Sequence, residues 1–133
     1  MSDIFVSRLM TADPLTVSPD TFVEEAANVL QEEDIGSLLV AEDGDLVGIL
    51  TTTDFVDIVA ASKPKAETTV ERYMSTDLTT VTAQITVEDA AELMIEEGIH
   101  HLPVVDDDGA AIGILTTTDL TNYVSNPELR SPA

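Results

Sequence analysis

The chain has 133 residues, of which 26 are acidic and 5 basic, so its formal net charge is −21 although 44% of its residues are hydrophobic. That length suits one domain of ordinary size, and the apolar share excludes an acidic disordered tail, which combines high charge with low hydrophobicity. So few cations also argue against DNA, RNA or an anionic membrane as partner, because each is recognised through clustered Lys and Arg.

The charge must therefore cover the surface of a folded protein. Its self-repulsion is large at low salt and nearly vanishes at about 1 M, where the screening length is roughly 3 Å, so the composition reads as adaptation to a salt-rich cytoplasm. Cysteine is absent, which removes disulfides, thiolate metal sites and thiol nucleophiles. Met1-Ser2-Asp3-Ile4-Phe5 lacks the basic region and apolar run of a leader, and no apolar stretch approaches about 18 residues, so the expected location is cytoplasmic.

In chain order, Val6 to Met10 and Val70 to Met74 are short apolar-patterned pieces, each with an arginine (Arg8, Arg72), that open two halves. Leu15-Thr16-Val17 and Thr79-Thr80-Val81 read as brief extended segments leading into helices. In the first helix Thr21 with Glu24 reads as a capping box, and Val23, Ala26, Ala27 and Leu30 share a face. In the second, Thr86 with Asp89 is the equivalent, and Val87, Ala90, Ala91 and Met94 repeat the stripe. Ile35 to Ala41 and Ile99 to Val105 read as strands that return through turns at Asp43-Gly44 and Asp108-Gly109.

Each return strand ends in the same seven residues: Gly48-Ile49-Leu50-Thr51-Thr52-Thr53-Asp54 and Gly113-Ile114-Leu115-Thr116-Thr117-Thr118-Asp119. An identity of that length in so short a chain marks an internal duplication. A β-branched run passing into hydroxyls and one carboxylate, where the period becomes helical, is a strand running into a helix N-terminus. Such a corner offers backbone N–H groups to an anion and hydroxyl and carboxylate groups to a sugar; alternatively, Thr and Asp simply cap the helix. Closing helices are expected from Asp54 to Ala61 and from Asp119 to Val124. Phe55, Val56, Ile58 and Val59 exceed what one buried stripe requires, which calls for a second apolar contact, most simply another subunit. Ser62 to Glu67 reads as a linker and the tail with Pro127 and Pro132 as frayed.

Together these residues resemble a tandem pair of cystathionine-beta-synthase (CBS) domains, a Bateman module. The resemblance rests on Met10-Thr11 and Met74-Ser75, on Ala26-Ala27 and Ala90-Ala91, on His101-Leu102-Pro103-Val104-Val105-Asp106, and on both copies of the seven-residue motif. It implies an α/β (α+β) fold of two β-α-β-β-α repeats related by a pseudo-two-fold axis, residues 4–62 and 68–125, within one compact module. It also implies pairing of two modules through helical faces into a homodimer, and regulation of a partner protein. The implied effector is an adenosine-containing ligand: AMP, ADP, ATP, S-adenosylmethionine or NAD.

By the same resemblance Asp54 and Asp119 accept hydrogen bonds from ribose hydroxyls, and Thr51 and Thr116 lie near the ribose and first phosphate. Ile99, His100 and His101 with Thr80 and Val81 are expected opposite Asp54; Ile35, Gly36 and Ser37 with Thr16 and Val17 are expected opposite Asp119. Imidazole donors that become cationic below about pH 6.5 would favour a phosphorylated ligand on the Asp54 side. The chain departs from the family at Thr53 and Thr118, where many members carry a basic residue, and at His101, where a His-Arg pair is common. No metal is expected, since His100 and His101 lack a third ligand and the acidic runs lack a calcium-loop pattern. Nor is catalysis, because no nucleophile-base spacing, P-loop or zinc-protease motif occurs.

Overall fold

The structure, a computed structural model, describes residues 4–62 and 67–126; most of the linker, with Lys63 and Lys65, and the tail with Pro127 and Pro132 lie outside them. Its elements are α1 (Val6–Leu9), β1 (Thr11–Ala12), β2 (Thr16–Val17), α2 (Val23–Glu33), β3 (Ser37–Glu42), β4 (Asp45–Thr51), α3 (Thr52–Ala60), a 3-10 turn at Val70–Arg72, α4 (Val87–Glu97), β5 (His101–Val105), β6 (Ala111–Thr116) and α5 (Thr117–Ser125). This is the mixed α/β class that two repeats require. The apolar opening pieces are helical turns, and the extended segment at Thr79-Thr80-Val81 is reduced to a single bridge from Val81 to Val104.

The chain divides into two compact units. One is Leu15–Leu78; the other joins the chain through Pro14 to the chain from Thr79 onward. Each sequence half therefore lends its opening segment to the other unit.

In the Leu15–Leu78 unit the sheet order is β2-β3-β4, with β2 parallel and β4 antiparallel to β3. The β3-β4 hairpin closes on Asp43 (φ 53°) and Gly44 (φ 87°), a pair of left-handed residues whose twist matches that of the strands. Val23, Ala26 and Leu30 of α2, Leu38 and Val40 of β3, Leu50 of β4, Ile58 of α3 and Val70 form the core. Burying each of the larger side chains contributes about 1.5–3 kcal/mol. Val70 is held by its own N–H to the Thr21 carbonyl (2.8 Å) and by Val23 N–H to the Thr68 carbonyl (2.8 Å).

The other unit repeats this plan with the sheet order β1-β6-β5. Val6 enters a core of Val81, Ala90, Met94, Leu102, Val104 and Leu115, and is held by N–H bonds from Val6 to the Ile85 carbonyl (2.9 Å) and from Val87 to the Ile4 carbonyl (2.8 Å). The β5-β6 turn is one residue longer, and the Asp106 carboxylate fills it by accepting from Asp108 N–H (2.9 Å) and Ala110 N–H (3.0 Å).

Four sequence expectations are corrected. The N-cap of α2 is Phe22, one residue beyond the expected Thr21, and Phe22 offers no side-chain cap, whereas Thr86 does cap α4 by accepting from Asp89 N–H (3.2 Å). The Ile35 and Ile99 strands start two residues later, at Ser37 and His101. Left-handed Asp34 and Gly98 end the preceding helices, and the Ile35 and Ile99 N–H groups close back on the Leu30 and Met94 carbonyls. The closing helices begin at Thr52 and Thr117, because Thr51 and Thr116 are the N-caps and the aspartates sit in the first turn. Finally, Ile58 is a core residue, 4% exposed, and does not belong to the apolar surplus.

Candidate functional site

Each unit carries the duplicated motif as a corner from strand to helix. Asp54 Oδ2 accepts from Thr51 N–H at 2.8 Å and from the Thr51 hydroxyl at 3.4 Å. Asp119 Oδ2 accepts from Thr116 N–H at 2.9 Å and the Thr116 hydroxyl at 3.1 Å, while Asp119 N–H reaches Thr116 Oγ1 at 3.3 Å. These are reciprocal capping boxes, so capping accounts for the first Thr and the Asp in both copies. It uses one oxygen of each carboxylate; Oδ1 retains its lone pairs for further donors. The second and third threonines of each motif are exposed.

Capping leaves the glycines unexplained, and packing supplies the reason. A Cβ on Gly48 would lie 2.6 Å from Met74 Sδ and 3.1 Å from the Ser75 carbonyl oxygen; on Gly113 it would lie 2.5 Å from Met10 Sδ and 3.1 Å from the Thr11 carbonyl oxygen. The opening segments cross the return strands at these notches. Ile49 and Ser75 exchange N–H bonds of 3.0 and 2.9 Å, and Thr11 and Ala12 pair with Ile114 and Gly113. Sequence reasoning missed this contact, although the signal was present in the spacing of Met10-Thr11 and Met74-Ser75 against the two glycines.

The candidate residues fall into two groups. Thr16, Val17, Ile35, Gly36, Ser37, Thr51 and Asp54 belong to the Leu15–Leu78 unit, and Thr80, Val81, Ile99, His100, His101, Thr116 and Asp119 to the other. Within each unit the loop before the hairpin adjoins the corner. Ser37 faces Thr51 across the ladder and Thr52 N–H donates to the Gly36 carbonyl at 3.1 Å; His101 faces Thr116 and Thr117 N–H donates to the His100 carbonyl at 3.1 Å. The histidines are thus direct neighbours of the Asp119 corner, and Gly36-Ser37 of the Asp54 corner.

Electrostatics separates these groups. Burial pushes the Asp54 carboxyl above its ordinary 3.8; the bonds from the Thr51 backbone and hydroxyl oppose that rise, and the like charge of Asp57 adds to it. Burial, and then the neighbouring His100, hold His101 below the ordinary 6.5. The expectation that both imidazoles turn cationic below about pH 6.5 is therefore corrected for His101. Its Nδ1 is buried without a hydrogen-bond partner, so a proton there would be an unpaired buried charge.

Beside each corner lies an apolar groove. One of about 510 Å³ runs between α2 and α3 along Ala27, Phe55 and Val59 to Thr52. One of about 390 Å³ runs between α4 and α5 along Ala91, Ile95 and Leu120 to Thr117 and His100. Val56, Val59 and Ile95 are 67%, 76% and 80% exposed. Among the described residues no group of three or more His, Cys, Asp or Glu side chains is placed to hold a metal ion, and no helix is long and apolar enough to cross a membrane.

The family model for the CBS domain matches residues 6–61 and again residues 70–126. The CBS domain-containing protein YhcV of Bacillus subtilis is 35% identical over 122 residues, which are 91% of this chain and 86% of YhcV. Inosine-5'-monophosphate dehydrogenase of Methanocaldococcus jannaschii is 37% identical over 122 residues, 91% of this chain but 24% of that enzyme. Among solved structures, the CBS domain protein NE2398 superposes with a TM-score of 0.87 at 34% identity, covering 94% of this chain and 100% of its own. The CBS domain pair of MJ0100, in complex with 5'-methylthioadenosine and S-adenosyl-L-methionine, superposes with a TM-score of 0.84 at 29% identity, covering 90% and 98%.

Proposed function

The chain belongs to the CBS-domain family as a tandem pair, and from that premise we propose that it is a regulatory module sensing an adenosine-containing ligand. The observation that carries this reading is the duplicated corner, in which capping occupies Oδ2 of Asp54 and Asp119 and leaves Oδ1 available to the hydroxyls of a ribose. The ligand complex of the similar MJ0100 pair supports the same class of effector. Asp54 with Thr51, and Asp119 with Thr116, are the ribose-binding pairs; Thr16, Val17, Ile35, Gly36, Ser37, Thr80, Val81, Ile99, His100 and His101 contribute the surroundings of the base.

The module is a non-catalytic homodimer of a salt-rich cytoplasm. Its exposed Val56 and Val59 supply the pairing face, and its effector changes the activity of a partner protein. Such regulation requires different affinity of the ligand for two arrangements of the module.

A second reading, a ligand-free dimerisation module, is favoured by the completeness of the capping boxes, which give Thr51, Asp54, Thr116 and Asp119 a purely structural use. Calorimetry in molar KCl with adenosine, S-adenosylmethionine and AMP separates the two. The sensing reading expects saturable heat with at least one of them, lost in the Asp54→Ala, Asp119→Ala double variant. No heat with any of the three supports the dimerisation module.

A further inference from the structure

The methionines offer a site of a different kind, independent of what the corners bind. The chain has four of them and no cysteine, so thioethers are its sulfur groups open to oxidation. Met1 lies outside the described residues, and Met94 is a core side chain, 3% exposed. Met10 and Met74 are half-buried, packed on the cores of their own units. Both occupy the same place in the duplicated plan. Each sulfur lies against the glycine of a return strand, in a notch where a Cβ would come within 2.6 Å of Met74 Sδ or 2.5 Å of Met10 Sδ. Thr51 and Thr116, the caps of the two corners, end those same strands.

We propose that Met10 and Met74 are a matched pair of oxidation sites, at which a hydroperoxide converts the thioether to the sulfoxide and so loosens the crossing of opening segment over return strand. The sulfur attacks one peroxide oxygen: the S–O bond forms as the O–O bond breaks, and sulfur gives up two electrons. The leaving hydroxide takes the proton of the transferred oxygen and departs as water. The product is bulkier than the thioether, and polar. Its oxygen needs a donor, and the backbone donors of the crossing are already engaged. Ile49 and Ser75 exchange N–H bonds of 3.0 and 2.9 Å, Met74 N–H is held by the Val70 carbonyl and Met10 N–H by the Val6 carbonyl, both at 2.9 Å, and Thr11 and Ala12 pair with Ile114 and Gly113. A sulfoxide turned inward therefore breaks one of these bonds or stays unpaired in an apolar setting, and one turned outward withdraws the sulfur from its notch. Either outcome takes packing from the unit. A thiol-dependent methionine sulfoxide reductase reverses the step, returning the thioether and releasing the oxygen as water while two thiols become a disulfide.

The test is a time course of the whole chain with hydrogen peroxide in molar KCl, followed by peptide mass spectrometry and urea unfolding. Met10 and Met74 are expected to gain one oxygen before Met94 does. The urea midpoint should fall as they do so, with a loss of about tenfold in the folded-to-unfolded ratio, the usual consequence of one polar group left unpaired. Methionine sulfoxide reductase with dithiothreitol should then restore the midpoint, a readout that needs no variant. The Met10→Leu, Met74→Leu double variant, a swap of nearly conserved volume, should fold and keep its midpoint in peroxide. Oxidation of Met94 as fast as that of the pair, a midpoint unmoved by sulfoxide at Met10 and Met74, or an equal fall in the leucine variant would overturn the proposal.

Discussion

A methyl group at Gly48 or Gly113 has no room, because a methionine sulfur and a backbone carbonyl of the opening segment already occupy its position. Gly48→Ala and Gly113→Ala are each expected to cost about 1–3 kcal/mol, the range for overpacking a close contact. Urea unfolding measures this, and an unchanged midpoint would show that the methionines yield freely. Asp54 makes a different prediction. Its folded pKa is raised above 3.8 by burial, so the native state binds the proton more readily than the unfolded chain. The resulting stabilisation is present below the unfolded pKa and is lost as pH rises through the folded one. Asp54→Asn should therefore fold at neutral pH at least as well as the wild type, keeping an acceptor for Thr51, while adenosine binding at that corner weakens. For His101 the shift is downward: its contribution falls as pH drops below 6.5 toward the folded value. In an NMR titration its ring should protonate below pH 6.5, and a midpoint at or above 6.5 would contradict its burial.

At the scale of elements, the local patterns in the sequence were informative where one helix or hairpin decided the outcome. The stripes Val23-Ala26-Leu30 and Val87-Ala90-Met94 are the buried faces of α2 and α4, and Asp43-Gly44 is the two-residue turn it resembles. The corners were legible because the hydroxyl-to-carboxylate spacing is itself the capping geometry. What periodicity does not carry is the destination of a short segment. Nothing in Val6 to Met10 or Val70 to Met74 says which half it will join, and the capping residue of α2 was misplaced because the chain there is satisfied by the Thr68 carbonyl, a partner distant in sequence. The helical surplus was likewise read from composition, and only burial separates Ile58 from Val59. Val59→Asp is expected to leave folding intact and convert dimers to monomers, whereas Ile58→Asp buries an unpaired carboxyl, costs roughly 2–7 kcal/mol and unfolds the unit. Light scattering and circular dichroism on both variants check the pair. A wild-type monomer at micromolar concentration would remove the dimer from the account.

For the whole molecule, 26 carboxylates against 5 cations make stability a function of ionic strength. The melting temperature is expected to rise from about 0.1 M to 2 M KCl as the screening length contracts from roughly 10 Å to below 3 Å, and a flat profile would show that self-repulsion is not what the fold works against. That dependence fixes the conditions for the central claim, that this CBS pair senses an adenosine compound through its two corners. The most direct measurement is thermal unfolding in molar KCl with and without adenosine, 5'-methylthioadenosine, S-adenosylmethionine and AMP, on the wild type and on the Asp54→Ala, Asp119→Ala double variant. At about 100 times its dissociation constant a ligand stabilises the native state by about 2.7 kcal/mol, so at least one compound should raise the wild-type transition and leave that of the double variant in place. Equal shifts in both proteins, or no shift with any of the four, would contradict the account.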